Sequence, residues 1–155
     1  MITIIPDYLD LEELDNFLVS LDKSKAEAVE YSPNVNTIKH AKLPFKQIKD
    51  FGNVTFSETL IYTTGSYSPQ HVDFGPIDEW KAWKKTGILF CSDNYTGGDF
   101  YLPTLNIIMK PKKNTLLIFP AGVGTEIYEH GVHQVTSGER ITTVFRFIDN
   151  DKNIR

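Results

Sequence analysis

The sequence predicts a mainly β fold, a double-stranded β-helix or jelly roll with one covering helix at its N-terminus, and three observations carry that prediction. From residue 53 onward, short β-branched and aromatic runs alternate with Gly, Pro, Asn and Ser, the texture of strands punctuated by turns. Eight candidate strands fall at 54–62, 67–72, 86–91, 98–102, 106–109, 115–119, 127–133 and 141–148. So many short strands packed into under about a hundred residues suit a double-sheet jelly roll or a related sandwich. Helical periodicity, by contrast, is clear only near the N-terminus.

That helix opens at Asp10-Leu-Glu-Glu13, where the Asp10 side chain can accept a backbone N–H near Glu13 and the acidic first turn suits the positive end of the helix dipole. Leu11, Leu14, Leu18 and Leu21 follow at helical spacing and share one face, which reads as a covering helix with an apolar stripe. Residues 32–52 are rich in Pro, Asn and Lys and read as loop with one edge strand. The strand pattern is interrupted at 76–85, a short helix or a crossing loop whose Trp80 and Trp83 either cover the fold or line a substrate entrance.

With 155 residues, 41% of them apolar, the chain is sized for one domain spanning 1–155, and its motif-bearing core runs from about 54 to 148. Sixteen basic against twenty acidic side chains give a net charge of -4, which disfavours a broad nucleic-acid footprint. Cys91 is the single cysteine, so an intrachain disulfide and CxxC metal or redox motifs are excluded. A cytoplasmic or otherwise reducing compartment suits such a chain. The N-terminus lacks the basic-then-apolar layout of a secretory signal, and no apolar run approaches the roughly 20 residues needed to cross a bilayer. No membrane partner is expected.

His71-Val72-Asp73 carries the chemistry, because residues i and i+2 of a strand point to the same side and can present an imidazole and a carboxylate to one ion. A third ligand must come from elsewhere, and His40, His130 and His133 are the remaining histidines. Two histidines and one carboxylate, with three coordination positions left open, form the arrangement of non-haem Fe(II) oxygenases.

Three ordered segments extend this pattern: 62–73 (YTTGSYSPQHVD), 86–99 (TGILFCSDNYTGGD), and 116–120 (LLIFP) leading to 130–142 (HGVHQVTSGERIT). On them the chain resembles the 2-oxoglutarate/Fe(II)-dependent dioxygenase superfamily and, within it, the prolyl 4-hydroxylase-like branch, whose fold is the jelly roll. The resemblance selects His130 as the third ligand, since His130-x-Val132 and then Val135-x-x-Gly138-x-Arg140 fit the family's distal block, whereas His133 breaks its spacing. It leaves His133 as a polar neighbour and His40 as a solvated surface residue.

The same resemblance implies that Arg140 binds the distal carboxylate of 2-oxoglutarate through a planar bidentate contact. Thr142, two residues on, and Tyr62, nine residues before His71, are implied as further contacts to 2-oxoglutarate. Gly97-Gly98-Asp99 resembles a family turn, and Lys110-Pro-Lys-Lys113 a solvated connection.

The implied activity is Fe(II)-, 2-oxoglutarate- and O2-dependent hydroxylation with release of succinate and CO2, first of a peptidyl proline in a proline-containing peptide or protein. Ascorbate is the reductant such enzymes would take. Alternatives are a free amino acid or other small-molecule substrate, and a non-catalytic jelly-roll binding protein with a vestigial iron site. Arg140 and Arg146, six apart, also resemble the Arg-x5-Arg pattern of nucleic-acid demethylases, but the net acidity and the interval from His130 to Arg140 favour the prolyl branch.

Overall fold

A computed structural model describes residues 1–73 and 82–148. Its strands, in chain order, are β1 (Thr3–Ile5), β2 (Glu27–Ala28), β3 (Val35–Lys39), β4 (Asn53–Tyr62), β5 (Ser68–His71), β6 (Lys85–Phe90), β7 (Tyr95–Gly97), β8 (Phe100–Leu102), β9 (Ile107–Met109), β10 (Thr115–Pro120), β11 (His130–Val132), β12 (Val135–Gly138) and β13 (Arg140–Ile148). The helix α1 spans Leu11–Ser20. A major sheet runs in the order β1-β10-β6-β13-β4-β3-β2, a minor sheet in the order β5-β11-β8-β9, and β12 pairs with β7 as a two-stranded ribbon. This is the predicted jelly roll.

Period-two alternation splits the major sheet into two chemically distinct faces. Toward the minor sheet point Tyr62 of β4, Ile88 and Phe90 of β6, Leu117 and Phe119 of β10 and Val144 of β13, which pack on Phe100, Leu102 and Val132. Away from it point Leu89, Leu116, Ile118, Ile141, Phe145 and Phe147, covered by Leu14 of α1 and by Phe45 and Ile48 around a 3-10 turn at Lys46–Phe51. Burial on both sides explains why β6, β10 and β13 read as nearly continuous apolar runs.

The helix is capped as its sequence predicts, Asp10 Oδ1 accepting the Glu12 N–H at 2.8 Å. Leu14 is fully buried, and Phe17 and Leu18 pack against the same rear cluster. Leu11 is 58% exposed, however, so the packed stripe begins one turn later than the leucine spacing implied. Periodicity fixes the face of a helix but not how much of its length finds cover.

Local backbone geometry moved several strand boundaries. Asn106 adopts the left-handed conformation (φ 54°) that closes a 3-10 turn at Pro103–Leu105, so β9 starts at Ile107. A further 3-10 turn at Glu126–Tyr128 delays β11 to His130. In the stretch read as loop, β3 forms but is not an edge, because β2 pairs on its outer side. The polar ribbon of β7 and β12 was not anticipated, since Thr96, Thr136 and Ser137 pair through hydroxyl hydrogen bonds without an apolar signature.

His40 is not a freely solvated residue as expected. It is half-buried beside the Phe17 ring (5.7 Å), and its Nε2 makes a 2.7 Å hydrogen bond with Thr59 Oγ1, since the end of β3 runs beneath α1. Most of the interruption expected at 76–85, with Trp80, lies outside the described residues; Trp83 is described and is buried.

Candidate metal centre and active site

Pairing of β5 with β11 sets His71 directly opposite His130, which brings two histidines distant in sequence onto neighbouring strands. Their rings meet at 4.4 Å, and the His130 ring is wedged between Phe100 (5.4 Å) and Phe119 (4.9 Å). Asp73 follows two residues after His71. Asp73 Oδ1 lies 3.4 Å from His71 Nε2 and 3.5 Å from His130 Nε2, and all three ligand atoms lie within 4.8 Å of one another. Adjacent ligands at ~2.1 Å from a shared ion stand about 3 Å apart, so this spacing fits one divalent ion held through a single face.

The surrounding atoms orient each ligand. Pro69 O lies 2.7 Å from His71 Nδ1, and Tyr128 O lies 2.9 Å from His130 Nδ1. Each carbonyl accepts the Nδ1 proton and so leaves the Nε2 lone pair facing the site. Asp73 Oδ2 accepts from Thr86 Oγ1 at 2.8 Å and pairs with Arg146 Nη1 at 2.6 Å, leaving Oδ1 for a metal. Arg146 is itself steadied by Thr86 Oγ1 (2.6 Å) and lies 5.0 Å from the Trp83 ring.

These contacts shift the ionisation of all three groups. Burial alone would raise the Asp73 pKa, but Arg146 foremost, then His130 and His71, hold it well below the usual carboxylate range. Burial pushes the His130 pKa down, favouring the neutral ligand form. At the more exposed His71, burial acts the same way, yet Asp73 outweighs it and the pKa is raised.

A cavity of about 660 Å³ joins this triad to Tyr62, Arg140 and Thr142. Arg140 and Tyr62 are direct cross-strand partners on β13 and β4. Arg140 is 2% exposed, its Nε donates to Gly98 O at 3.0 Å, and its Cζ lies 4.8 Å from the Tyr62 ring and 5.4 Å from the Phe90 ring. Among the described residues no carboxylate pairs with it. A buried guanidinium in that state can receive an anionic group through charge-assisted hydrogen bonds. Thr142 is buried on the same strand face.

His133 stands apart, exposed and stacked on Tyr101 at 4.3 Å and 16°. Sequence reasoning missed Thr86 and weighed Arg146 only as a nucleic-acid contact. Strand parity held the missing signal, because Arg140, Thr142, Val144 and Arg146 alternate on one face of β13. Among the described residues, no helix is long and apolar enough to cross a membrane.

In sequence, residues 57–147 match the family model described as the 2OG-Fe(II) oxygenase superfamily. No curated protein matches the chain. Its fold is similar to that of the viral collagen prolyl hydroxylase from Paramecium bursaria Chlorella virus-1 in a 2OG complex, with a TM-score of 0.79 and 20% identity over 97% of this chain and 96% of that one. It is also similar to a Pseudomonas putida prolyl-4-hydroxylase (TM-score 0.75, 11% identity, 96% and 92% covered). A third similar structure is HygX from Streptomyces hygroscopicus with nickel and 2-oxoglutarate bound (TM-score 0.68, 13% identity, 97% and 83% covered). The three likenesses establish a shared fold, while the family match spans more than half of the chain and coincides with an intact two-histidine, one-carboxylate triad. The chain belongs to the 2OG-Fe(II) oxygenase superfamily and is an Fe(II)- and 2-oxoglutarate-dependent enzyme.

Proposed function

We propose that the enzyme hydroxylates a peptidyl proline, using O2 and 2-oxoglutarate and releasing succinate and CO2. The carrying observation is that one cavity holds both the metal triad and a buried guanidinium without a carboxylate partner among the described residues. When bound, Fe(II) supplies the activation of dioxygen that hydroxylates a C–H bond. In this reading His71 Nε2, Asp73 Oδ1 and His130 Nε2 hold the iron. Arg140 receives the distal carboxylate of 2-oxoglutarate, flanked by the Tyr62 and Thr142 hydroxyls, which fixes the direction in which that co-substrate lies.

Proline as the target is supported by the likeness to a collagen prolyl hydroxylase and a prolyl-4-hydroxylase. Phe56 and Trp83, 6.2 Å apart at the cavity wall, offer apolar faces against which a pyrrolidine ring would pack. A free amino acid or other small molecule is the second reading, favoured by a cavity whose volume lies in the range of small-molecule sites.

The test is anaerobic loading with Fe(II) and 2-oxoglutarate, then exposure to air and a panel of proline-containing peptides with ascorbate present, read by mass. A +16 product on proline is expected. Steady succinate formation with no +16 product on any proline peptide would sink the prolyl reading and leave the small-molecule one.

A further inference from the structure

Of the two carboxylates that line the cavity among the described residues, Asp73 belongs to the metal centre and Glu58 does not. Glu58 stands on the inward face of β4 with Tyr62, Leu60 and Phe56, at intervals of two residues. Its Oε2 accepts the Thr37 hydroxyl at 2.7 Å, which fixes the side chain. Oε1 accepts no hydrogen bond among the described residues, and Glu58 makes no ion pair there. Lys39, its cross-strand neighbour on β3, is exposed and outside ion-pair distance. Burial raises the pKa of the Tyr62 phenol, Arg140 opposes that, and the charges of Glu58 and Asp73 add to it, as expected if all of them face one chamber.

We propose that Glu58 is a specificity-determining residue for substrates that present a cationic nitrogen, an ammonium or a guanidinium, beside the carbon to be hydroxylated. A substrate filling the cavity removes water from the half-buried carboxylate. A neutral neighbour then leaves Oε1 desolvated and unpaired, an acidic one adds repulsion, and a cationic N–H donor restores the lost bond with a charge-assisted one. Discrimination therefore comes as much from the penalty on the wrong substrate as from attraction to the right one. Thr37 holds the acceptor in place before the substrate arrives, which lowers the ordering cost of binding. Lys39 at the rim repels the same cation, so the preference is confined to a group that reaches inside.

This inference rests on the hydroxylase reading but not on proline as the target. In a peptide the cation would be a Lys or Arg flanking the reacting residue; in a small molecule it would be an amine. Three matched sets of probes separate these sources: proline peptides flanked by Lys, norleucine or Glu, lysine peptides without proline, and free L-lysine against L-norleucine. Binding to the Fe(II)/2-oxoglutarate-loaded protein is measured anaerobically by the change in its visible absorption, and hydroxylation by mass.

In at least one set the wild type is expected to bind the cationic member about tenfold more tightly than the neutral isostere. Glu58→Gln is expected to shrink that preference below about twofold, the scale of a lost charge-assisted bond. The 2-oxoglutarate affinity from the same titration reports whether the variant is folded. Glu58-dependent preference confined to the probes without proline would overturn the prolyl target while upholding this inference. No preference for the cation in any set, absence of binding included, overturns it, as does a preference that survives Glu58→Gln.

Discussion

Replacing Arg140 with Met should separate two roles that a buried residue usually combines. Truncating a well-satisfied buried side chain of this size ordinarily lowers stability by about 2–5 kcal/mol. Arg140 differs, because among the described residues its buried charge has a single hydrogen bond, to Gly98 O, and no carboxylate partner. Met loses that bond and the cation–π contacts with Tyr62 and Phe90, together worth about 2–4 kcal/mol. It also removes an uncompensated buried charge, a relief of similar size.

The net change without co-substrate should therefore lie within about 1 kcal/mol, or a Tm shift within about 4 °C for a chain this long. Affinity for 2-oxoglutarate should fall by a factor on the order of 10²–10³, corresponding to two charge-assisted hydrogen bonds. Thermal unfolding without 2-oxoglutarate and an anaerobic titration of 2-oxoglutarate into metal-loaded protein measure the two quantities. A Tm loss above about 8 °C, or a change in affinity under tenfold, would refute the reading of Arg140 as a charge kept for an anionic ligand.

A methyl group at Gly131, between His130 and Val132, would collide with the Tyr101 hydroxyl and approach Ser68 O to 2.8 Å. Gly131→Ala should thus cost about 1–3 kcal/mol in chemical denaturation and weaken Ni(II) binding by spreading β5 from β11. Unchanged metal affinity would mean that the two histidines are not positioned by that strand contact. Burial lowers the His40 pKa, so the folded state prefers the neutral ring and the unfolded chain takes up more protons once pH falls through its own value near ~6.5. Stability from this source is complete above that value and declines below it. Urea melts at pH 7.5 and 5.5 should show a smaller acid loss in His40→Gln than in the wild type, and equal losses would exclude His40 as a contributor. Cys91 is fully buried, and burial pushes its thiol up to about 11. Iodoacetamide at pH 8 should leave the native protein unmodified and label it only after denaturation; rapid native labelling would contradict the packing around β6.

The jelly roll and the capped helix were legible in the chain itself because alternation, turn residues and capping are local properties. Segments whose geometry depends on unusual φ angles or on partners were not. The strand beginning at His130 was read three residues too early, and the polar β7–β12 ribbon went unseen, because its hydroxyl pairs have no apolar period. His40 was misplaced for a related reason, since nothing in a Lys-rich loop indicates that α1 and Thr59 enclose it.

The sequence by itself pointed to the metal chemistry: His71 and Asp73 stand two residues apart, and the resemblance of the distal block to the family's pattern, with its spacing to Arg140, singled out His130 over His133. Tertiary structure alone decided how that chemistry is held. Cross-strand pairing of His71 with His130, carbonyls at Pro69 and Tyr128 that set both ring tautomers, and Arg146 with Thr86 on the outer oxygen of Asp73 all join residues from different strands or turns. Glu58 belongs with them. Its identity is visible in the chain, but whether its second oxygen faces water, a lysine or the active-site cavity depends on how three strands and a distant sheet close around it.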